Sequence, residues 1–157
     1  MRIGHGYDAH RLIPGRPCIL CGVEIPSPVG PLGHSDADVP VHALMDAILG
    51  AAALGDIGRW FPDSDERYRG ARSLDLLDTV LGLIRDRGWR VGNADVTIIA
   101  QVPRLAPYMD RMRDTLAESL GVPPENVNVK ATTEEKMGFT GSGEGLAAHA
   151  VVLLEDV

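Results

Sequence analysis

The hydrophobic pattern of this chain switches between a two-residue period and a three-to-four-residue period, and the switches divide it into strands and helices. Residues 2–7 read as a strand, and residues 18–25 as one or two short strands broken at Gly22 and ended by Pro26. The proline- and glycine-rich residues 27–33 read as a loop. Val41, Leu44, Met45, Ile48 and Ala52 lie at helical spacing and predict a helix over 38–54. Ser35 and Asp36 are candidate N-caps for it, Pro40 is tolerated in its first turn, and Gly55 ends it. Leu74, Leu77, Leu81 and Ile84 predict a second helix over 73–87, closed by Gly88. Met109, Met112, Leu116 and Leu120 predict a third over 107–120, and its methionines read as core. The β-branched run 94–101, stopped by Pro103, the stretch 127–132 and the almost continuously apolar 146–154 complete the strands.

Strands that alternate with helices imply an α/β fold, here one domain over residues 1–157 with a mixed β-sheet and its helices packed on one face. No repeat, low-complexity tract or linker divides the chain. Strands that are apolar on both faces need cover on both, and three substantial helices suffice for only one. The pattern therefore predicts a homo-oligomer whose sheets meet in a shared core.

Composition narrows the function. A chain that is 45% hydrophobic and 24% charged belongs with soluble globular proteins, which sets disordered and fibrous classes aside. Its net charge of -7 argues against nucleic acid or an anionic membrane surface as partner. A phosphorylated small substrate remains compatible, because a metal ion and a few local cations reverse the field inside one pocket. No apolar run approaches the roughly 20 residues of a membrane helix, and the first residues lack a signal-peptide core, so a cytoplasmic location is expected. Cys18 and Cys21 have C-x-x-C spacing, but they fall in a short apolar strand pattern with no second pair, and they read as small buried hydrophobes.

The chemistry concentrates in residues 33–42, which hold His34, Ser35, Asp36, Asp38 and His42 within ten positions. Upstream, Asp8 and His10 flank Ala9 and point to the same side of an extended backbone. Imidazole and carboxylate are common zinc ligands, so Asp8, His10, His34 and His42 form a candidate metal cluster. Asp38 or Asp46 is a candidate partner for orienting the His42 ring. Residues 56–65 mix carboxylates with aromatics in an irregular loop suited to binding. Glu135, among Thr132, Thr133 and Lys136, suits magnesium and phosphate, although a capped surface turn has the same composition. Residues 141–145 read as a glycine-rich hairpin turn, lacking the Lys-Ser/Thr of a phosphate-binding P-loop. No serine-nucleophile motif is present.

Four segments resemble the 2-C-methyl-D-erythritol 2,4-cyclodiphosphate synthase family: residues 8–10, residues 34–42, residues 55–58 with 61–65, and residues 130–140. The similarity runs collinearly through nearly the whole chain. It implies a homotrimer with active sites between subunits, each holding zinc together with magnesium or manganese. The substrate would be 4-diphosphocytidyl-2-C-methyl-D-erythritol 2-phosphate, whose 2-phosphate attacks its β-phosphorus and expels CMP. The resemblance makes Asp8, His10 and His42 the zinc ligands and Glu135 the magnesium ligand, with His34 and Thr133 stabilising the transition state. It places Ser35 against phosphate, Asp56 and Gly58 at the ribose and linker, and Asp63 at the erythritol hydroxyls. It puts cytosine against Ala100, Gln101, Val102, Pro103, Arg104, Leu105 and Ala106 together with Ala131, Thr132 and Thr133. Ala9, Ile57, Phe61, Pro62, Ser64, Asp65, Glu134, Phe139 and Ser142 complete the implied substrate contacts.

Two positions depart from the pattern. Ser142 and His149 stand where some relatives carry an arginine and a glutamate associated with an anion pocket on the trimer axis. Three protonated His149 side chains near one axis would still attract an anion. Two rival functions share the candidate residues: a zinc phosphohydrolase acting through metal-bound water, and a non-catalytic metal- or nucleotide-binding oligomeric module.

Overall fold

The computed structural model describes residues 1–157. Its longest strand, β1 (Arg2–Pro14), places Gly4, Gly6, Asp8, His10 and Leu12 on one face and Ile3, His5, Tyr7 and Ala9 on the other. β1 pairs antiparallel with β7 (Gly145–Asp156), β7 antiparallel with β5 (Trp89–Ile99), and β5 parallel with β6 (Val127–Thr132). The short β4 (Val29–Pro31) adds to the free side of β1, so the five-stranded mixed sheet has the order β4-β1-β7-β5-β6. β2 (Cys18–Leu20) and β3 (Val23–Ile25) form a separate hairpin through a tight turn at Cys21 and Gly22.

Three long helices, α1 (Val39–Ala51), α3 (Ser73–Arg85) and α4 (Met109–Leu120), pack on one face of the sheet. Two single turns, α2 (Ile57–Trp60) and α5 (Gly138–Gly141), lie in the connections. α4 supplies the crossover that parallel β5 and β6 require. Because β1 and β5 each run antiparallel to β7, the C-terminal ends of β1, β5 and β6 share one end of the sheet.

α1 is buried on almost all sides, since it lies between β1, β7 and α3. Glycines permit this closeness. A Cβ added at Gly6 would fall 1.9 Å from the Ala43 carbonyl oxygen, and one at Gly4 equally close to that of Ala47. The start of α1 is fixed by buried Asp38, which accepts from Cys21 N (2.8 Å), Gly22 N (2.6 Å) and Val41 N (3.3 Å). Burial pushes this carboxyl up to about 7, against the pull of the Gly22 and Cys21 N–H groups. Asp38, and not Ser35 or Asp36, is therefore the N-cap. It ties the hairpin turn to the helix that carries His42.

Other boundaries differ from expectation where pairing overrides local composition. The expected loop 27–33 contains β4, which finds a partner in the unexpectedly long β1. The expected hairpin turn at residues 141–145 follows directly on the helical turn α5, whose last residue, Gly141, sits against the Lys136 backbone where no side chain fits. The two cysteines are free and buried, as their apolar setting predicts.

The sheet face opposite the helices carries exposed Ile3 (73%), Tyr7 (46%) and Val151 (39%). This half of the apolar pattern has no cover within one chain.

Gly6→Ala is expected to lower unfolding free energy by about 3 kcal/mol through overpacking against the α1 backbone. Urea denaturation of the two proteins measures the difference; equal midpoints would contradict the packing described.

Candidate metal centre and phosphate cavity

Asp8 and His10 stand on the helix-facing side of β1, and α1 brings His42 down onto them. His10 Nε2 lies 3.1 Å and His42 Nδ1 3.3 Å from Asp8 Oδ2. Those separations match the edges, about 3.3–3.4 Å, of a tetrahedron built with zinc–ligand bonds of about 2.0–2.1 Å. Neither contact has hydrogen-bond geometry, and the buried Asp8 Oδ2 has no hydrogen-bond partner.

The outer ring nitrogens explain why. His10 Nδ1 is 2.6 Å from the Leu32 carbonyl, which only accepts, so Nδ1 carries the proton and neutral His10 turns a lone pair toward Asp8. His42 Nε2 lies 2.9 Å from Ser73 Oγ. The Ser73 hydroxyl donates to Asp36, leaving a lone pair for the His42 proton. Three lone-pair donors thus converge on one point, an arrangement that a cation completes. Burial opposes ionisation of Asp8, but when a proton occupies the centre in place of a cation, imidazole N–H groups turned toward Asp8 outweigh burial and hold the carboxyl below its ordinary range. Asp8 in turn raises His10 above its ordinary value despite burial, so a proton competes with a cation here.

The partner expected for the His42 ring needs correction. Asp38 is occupied by three backbone N–H groups, and Asp46 accepts from Ile57 N at 2.8 Å. Neither bonds to the imidazole; Asp36 reaches it through Ser73, a residue 31 positions from His42 that linear spacing does not reveal.

A cavity of about 360 Å³ opens beside the triad and is lined by His34, Ser35, Ile57, Gly58, Phe61, Pro62 and Asp63 among others. Arg16 shapes it by donating to the Pro31, Gly33 and Ser35 carbonyls at 2.7, 2.9 and 2.7 Å, which gathers the loop before α1. His34 Nε2 donates to the Asp65 carbonyl at 3.0 Å. Phe61 packs edge-on to Tyr68, and Asp46 anchors the start of α2. The remaining expected contacts in this region do not line the cavity. Asp56 caps α2 through Arg59 N (3.0 Å), Asp65 pairs with Arg67, and Ala9 faces the other side of β1; Ser64 also stays outside.

Ala100, Gln101, Pro103, Arg104, Leu105, Ala106, Ala131, Thr132 and Thr133 come together in a second pocket of about 480 Å³, where β5 and β6 end. Val102 points away and is exposed. The register Asp8, Ala148, Ile98, Ala131 sets the two sites three strands apart, about 14 Å. One chain does not bring them together. Glu135 follows β6 on an exposed turn with φ of 53°, and its N–H donates to Thr133 Oγ1 at 3.3 Å. Glu134 is held by the Thr140 hydroxyl instead of facing either cavity. Phe139 lies near Ala9 and His10, and Ser142 Oγ donates to the Phe139 carbonyl at 3.2 Å. His149 lies 2.9 Å from His5 and the Tyr7 ring packs on it, all on the uncovered face.

The fold and site define a single-domain α/β protein in which Asp8, His10 and His42 could hold a metal ion beside a cavity that mixes polar and apolar side chains. A profile of the YgbB family matches residues 1–155. The chain belongs to that family. A 2-C-methyl-D-erythritol 2,4-cyclodiphosphate synthase of Trichlorobacter lovleyi is 60% identical over 154 residues, spanning 98% of each chain. The solved structure of the bifunctional IspDF of Campylobacter jejuni aligns at TM-score 0.96 and 41% identity, covering 99% of this chain and 42% of that one. A solved 2C-methyl-D-erythritol-2,4-cyclodiphosphate synthase in its CDP-bound form aligns at TM-score 0.91 and 42% identity, over 98% of this chain and 100% of that one.

The triad is expected to bind a divalent transition metal, and His10→Ala to weaken it by roughly 100-fold or more. Titrating metal-free protein with cobalt(II), read by its visible absorption, checks both; equal affinities would exclude His10 as a ligand.

Proposed function

We propose that this chain is a phosphorus–oxygen lyase that converts 4-diphosphocytidyl-2-C-methyl-D-erythritol 2-phosphate to 2-C-methyl-D-erythritol 2,4-cyclodiphosphate and CMP, within non-mevalonate isoprenoid synthesis. The observation that carries this reading is the pair of half-sites on one sheet, a candidate metal triad beside one cavity and a separate pocket where β5 and β6 end. Each suits one part of a nucleoside diphosphate ester. The identity shared with the Trichlorobacter lovleyi synthase over nearly the full chain supports the reaction, and the CDP-bound structure supports cytidine nucleotide binding.

Residues 1–157 act as one catalytic domain, and three copies assemble as a homotrimer through the uncovered sheet face. The metal triad of one subunit then meets the Ala100–Ala106 and Ala131–Thr133 pocket of its neighbour, which resolves the separation of about 14 Å within one chain. The exposed apolar side chains of that face support this assembly. No helix is long and apolar enough to cross a membrane, in keeping with the cytoplasm as its place of action.

Asp8, His10 and His42 would hold zinc, and Glu135 would hold magnesium or manganese. When bound, these cations supply charge neutralisation that lets one phosphate approach another. Ser35 and His34 bind the phosphates, and Asp63 accepts from the erythritol hydroxyls. Ile57 and Gly58 contact ribose and linker, held in place by Asp56 at the cap of α2, with Phe61, Pro62, Ser64 and Asp65 shaping the loop around them. Phe139 and Ser142, in and just after α5, border the substrate beside Ala9 and His10, and Glu134 braces that turn through the Thr140 hydroxyl. An oxygen of the 2-phosphate attacks the β-phosphorus, a new P–O bond forms, and the bond to the oxygen shared with the α-phosphate breaks, releasing CMP. His34 and Thr133 donate to the charge that grows on phosphoryl oxygen as this happens. The nucleophile belongs to the substrate, so the protein contributes alignment and electrostatics without an attacking side chain.

Phosphorus NMR of substrate incubated with the enzyme, zinc and magnesium is expected to show CMP and the cyclic diphosphate in equal amounts. Inorganic phosphate in their place would indicate a phosphohydrolase, and no turnover a binding module. Thr133→Ala is expected to lower kcat by about 100-fold. Sedimentation equilibrium should return three 16.8 kDa chains; a monomer would overturn the shared site.

A further inference from the structure

Behind His42 lies a buried polar chain that rests on, and extends, the reading of Asp8, His10 and His42 as the metal centre. His42 Nε2 has two hydroxyls within reach, Ser73 Oγ at 2.9 Å and Ser35 Oγ at 3.2 Å. Ser73 is the first residue of α3 and is wholly buried. Its hydroxyl donates to Asp36 Oδ1, and its backbone N–H donates to Asp36 Oδ2 at 3.0 Å. Asp36 Oδ1 also accepts from Asp38 N at 3.2 Å, and Asp36 N donates to the Ala71 carbonyl at 3.0 Å. The carboxylate is thereby fixed in place before it meets Ser73.

A carboxylate only accepts, so the single Ser73 proton goes to Asp36 and a Ser73 lone pair faces the imidazole. His42 must then carry its proton on Nε2, which leaves the Nδ1 lone pair directed toward Asp8 Oδ2 at 3.3 Å. Ser35 stands differently. Its Oγ accepts from Ala37 N at 3.2 Å, and no carboxylate takes its proton. With Ser73 receiving the imidazole proton, the Ser35 hydroxyl keeps its own proton for an anion in the cavity it lines.

We propose that Ser73 and Asp36 are positioning residues of the metal centre. The Asp36–Ser73–His42 chain sets the tautomer of His42, raises its strength as a ligand and releases Ser35 to donate to substrate phosphate. It also joins three separate pieces of the fold, since Asp36 lies in the loop before α1, Ser73 starts α3 and His42 belongs to α1.

Competition of the whole protein with a chromophoric chelator for zinc tests the chain. Ser73→Ala and the shape-matched Asp36→Asn are each expected to weaken zinc by about 10- to 100-fold and to shift the cobalt(II) absorption bands, whereas Ser35→Ala stays within about threefold of wild type. Thermal unfolding of the metal-free variants accompanies the titration. Zinc affinity unchanged in Ser73→Ala and Asp36→Asn, whether or not their melting temperatures fall, would reduce the pair to a clamp on α3 and overturn the proposal. If Ser73→Ala does not fold, Asp36→Asn decides it alone. Wild-type protein that binds no zinc, or an Asp8→Ala variant that binds it undiminished, would instead overturn the metal centre itself and the positioning role with it.

Discussion

Everything at the functional end of this protein depends on how closely α1 lies on β1. An ordinary strand keeps a helix away by the height of its side chains, whereas Gly4 and Gly6 let the Ala47 and Ala43 carbonyls come to within 1.9 Å of where a Cβ would be. The same strand face continues into Asp8 and His10, so the approach that seats the helix also lowers His42 to within 3.3 Å of Asp8. Packing and ligand geometry are here one constraint. The Asp38 carboxylate adds to it by binding the Cys21–Gly22 turn to the first turn of α1, which fixes where along the strand the helix begins.

Around that contact the polar groups are arranged so that each proton has a destination other than the triad. Leu32 O takes the His10 proton and Ser73, backed by Asp36, takes that of His42. Asp8 Oδ2 faces two lone pairs and has no hydrogen-bond partner. Leaving a buried carboxylate oxygen without a donor costs more than the roughly 1–3 kcal/mol of a neutral group, a cost that a cation at the triad would offset. An acidic chain with net charge -7 can handle phosphates because the charge that matters is local: the Asp8, His10 and His42 triad concentrates positive charge once it holds a metal.

The sheet distributes what the triad does not hold. Its parallel β5 and β6 end in a pocket at the same height as the triad but three strands away, and the turn beyond β6 leaves Glu135 exposed. The face that bears Ile3, Tyr7 and Val151 lacks the cover that α1, α3 and α4 give the other face. A sheet apolar on two sides with helices on one leaves its second face without cover in a single chain.

The linear pattern determined a good deal. Helical and strand periods located α1, α3, α4 and β6 to within a few residues, because burial on one face imposes a regular spacing that survives without coordinates. Two-residue alternation put Asp8 and His10 on one side of β1, and the surplus of apolar strand positions over helices foretold an uncovered face. Tertiary structure decided the rest. β4 exists only because β1 extends far enough to pair with it, and the turn at Gly141 is set by the Lys136 backbone against it. Asp38 and Asp46, which stand near His42 in sequence, turned out to serve backbone N–H groups, while Ser73, distant in sequence, holds its ring. Periodicity reports which face a residue occupies, and hydrogen bonds depend on which atoms meet across separate elements. That is why the candidate metal ligands were legible in the sequence and the groups that orient them were not.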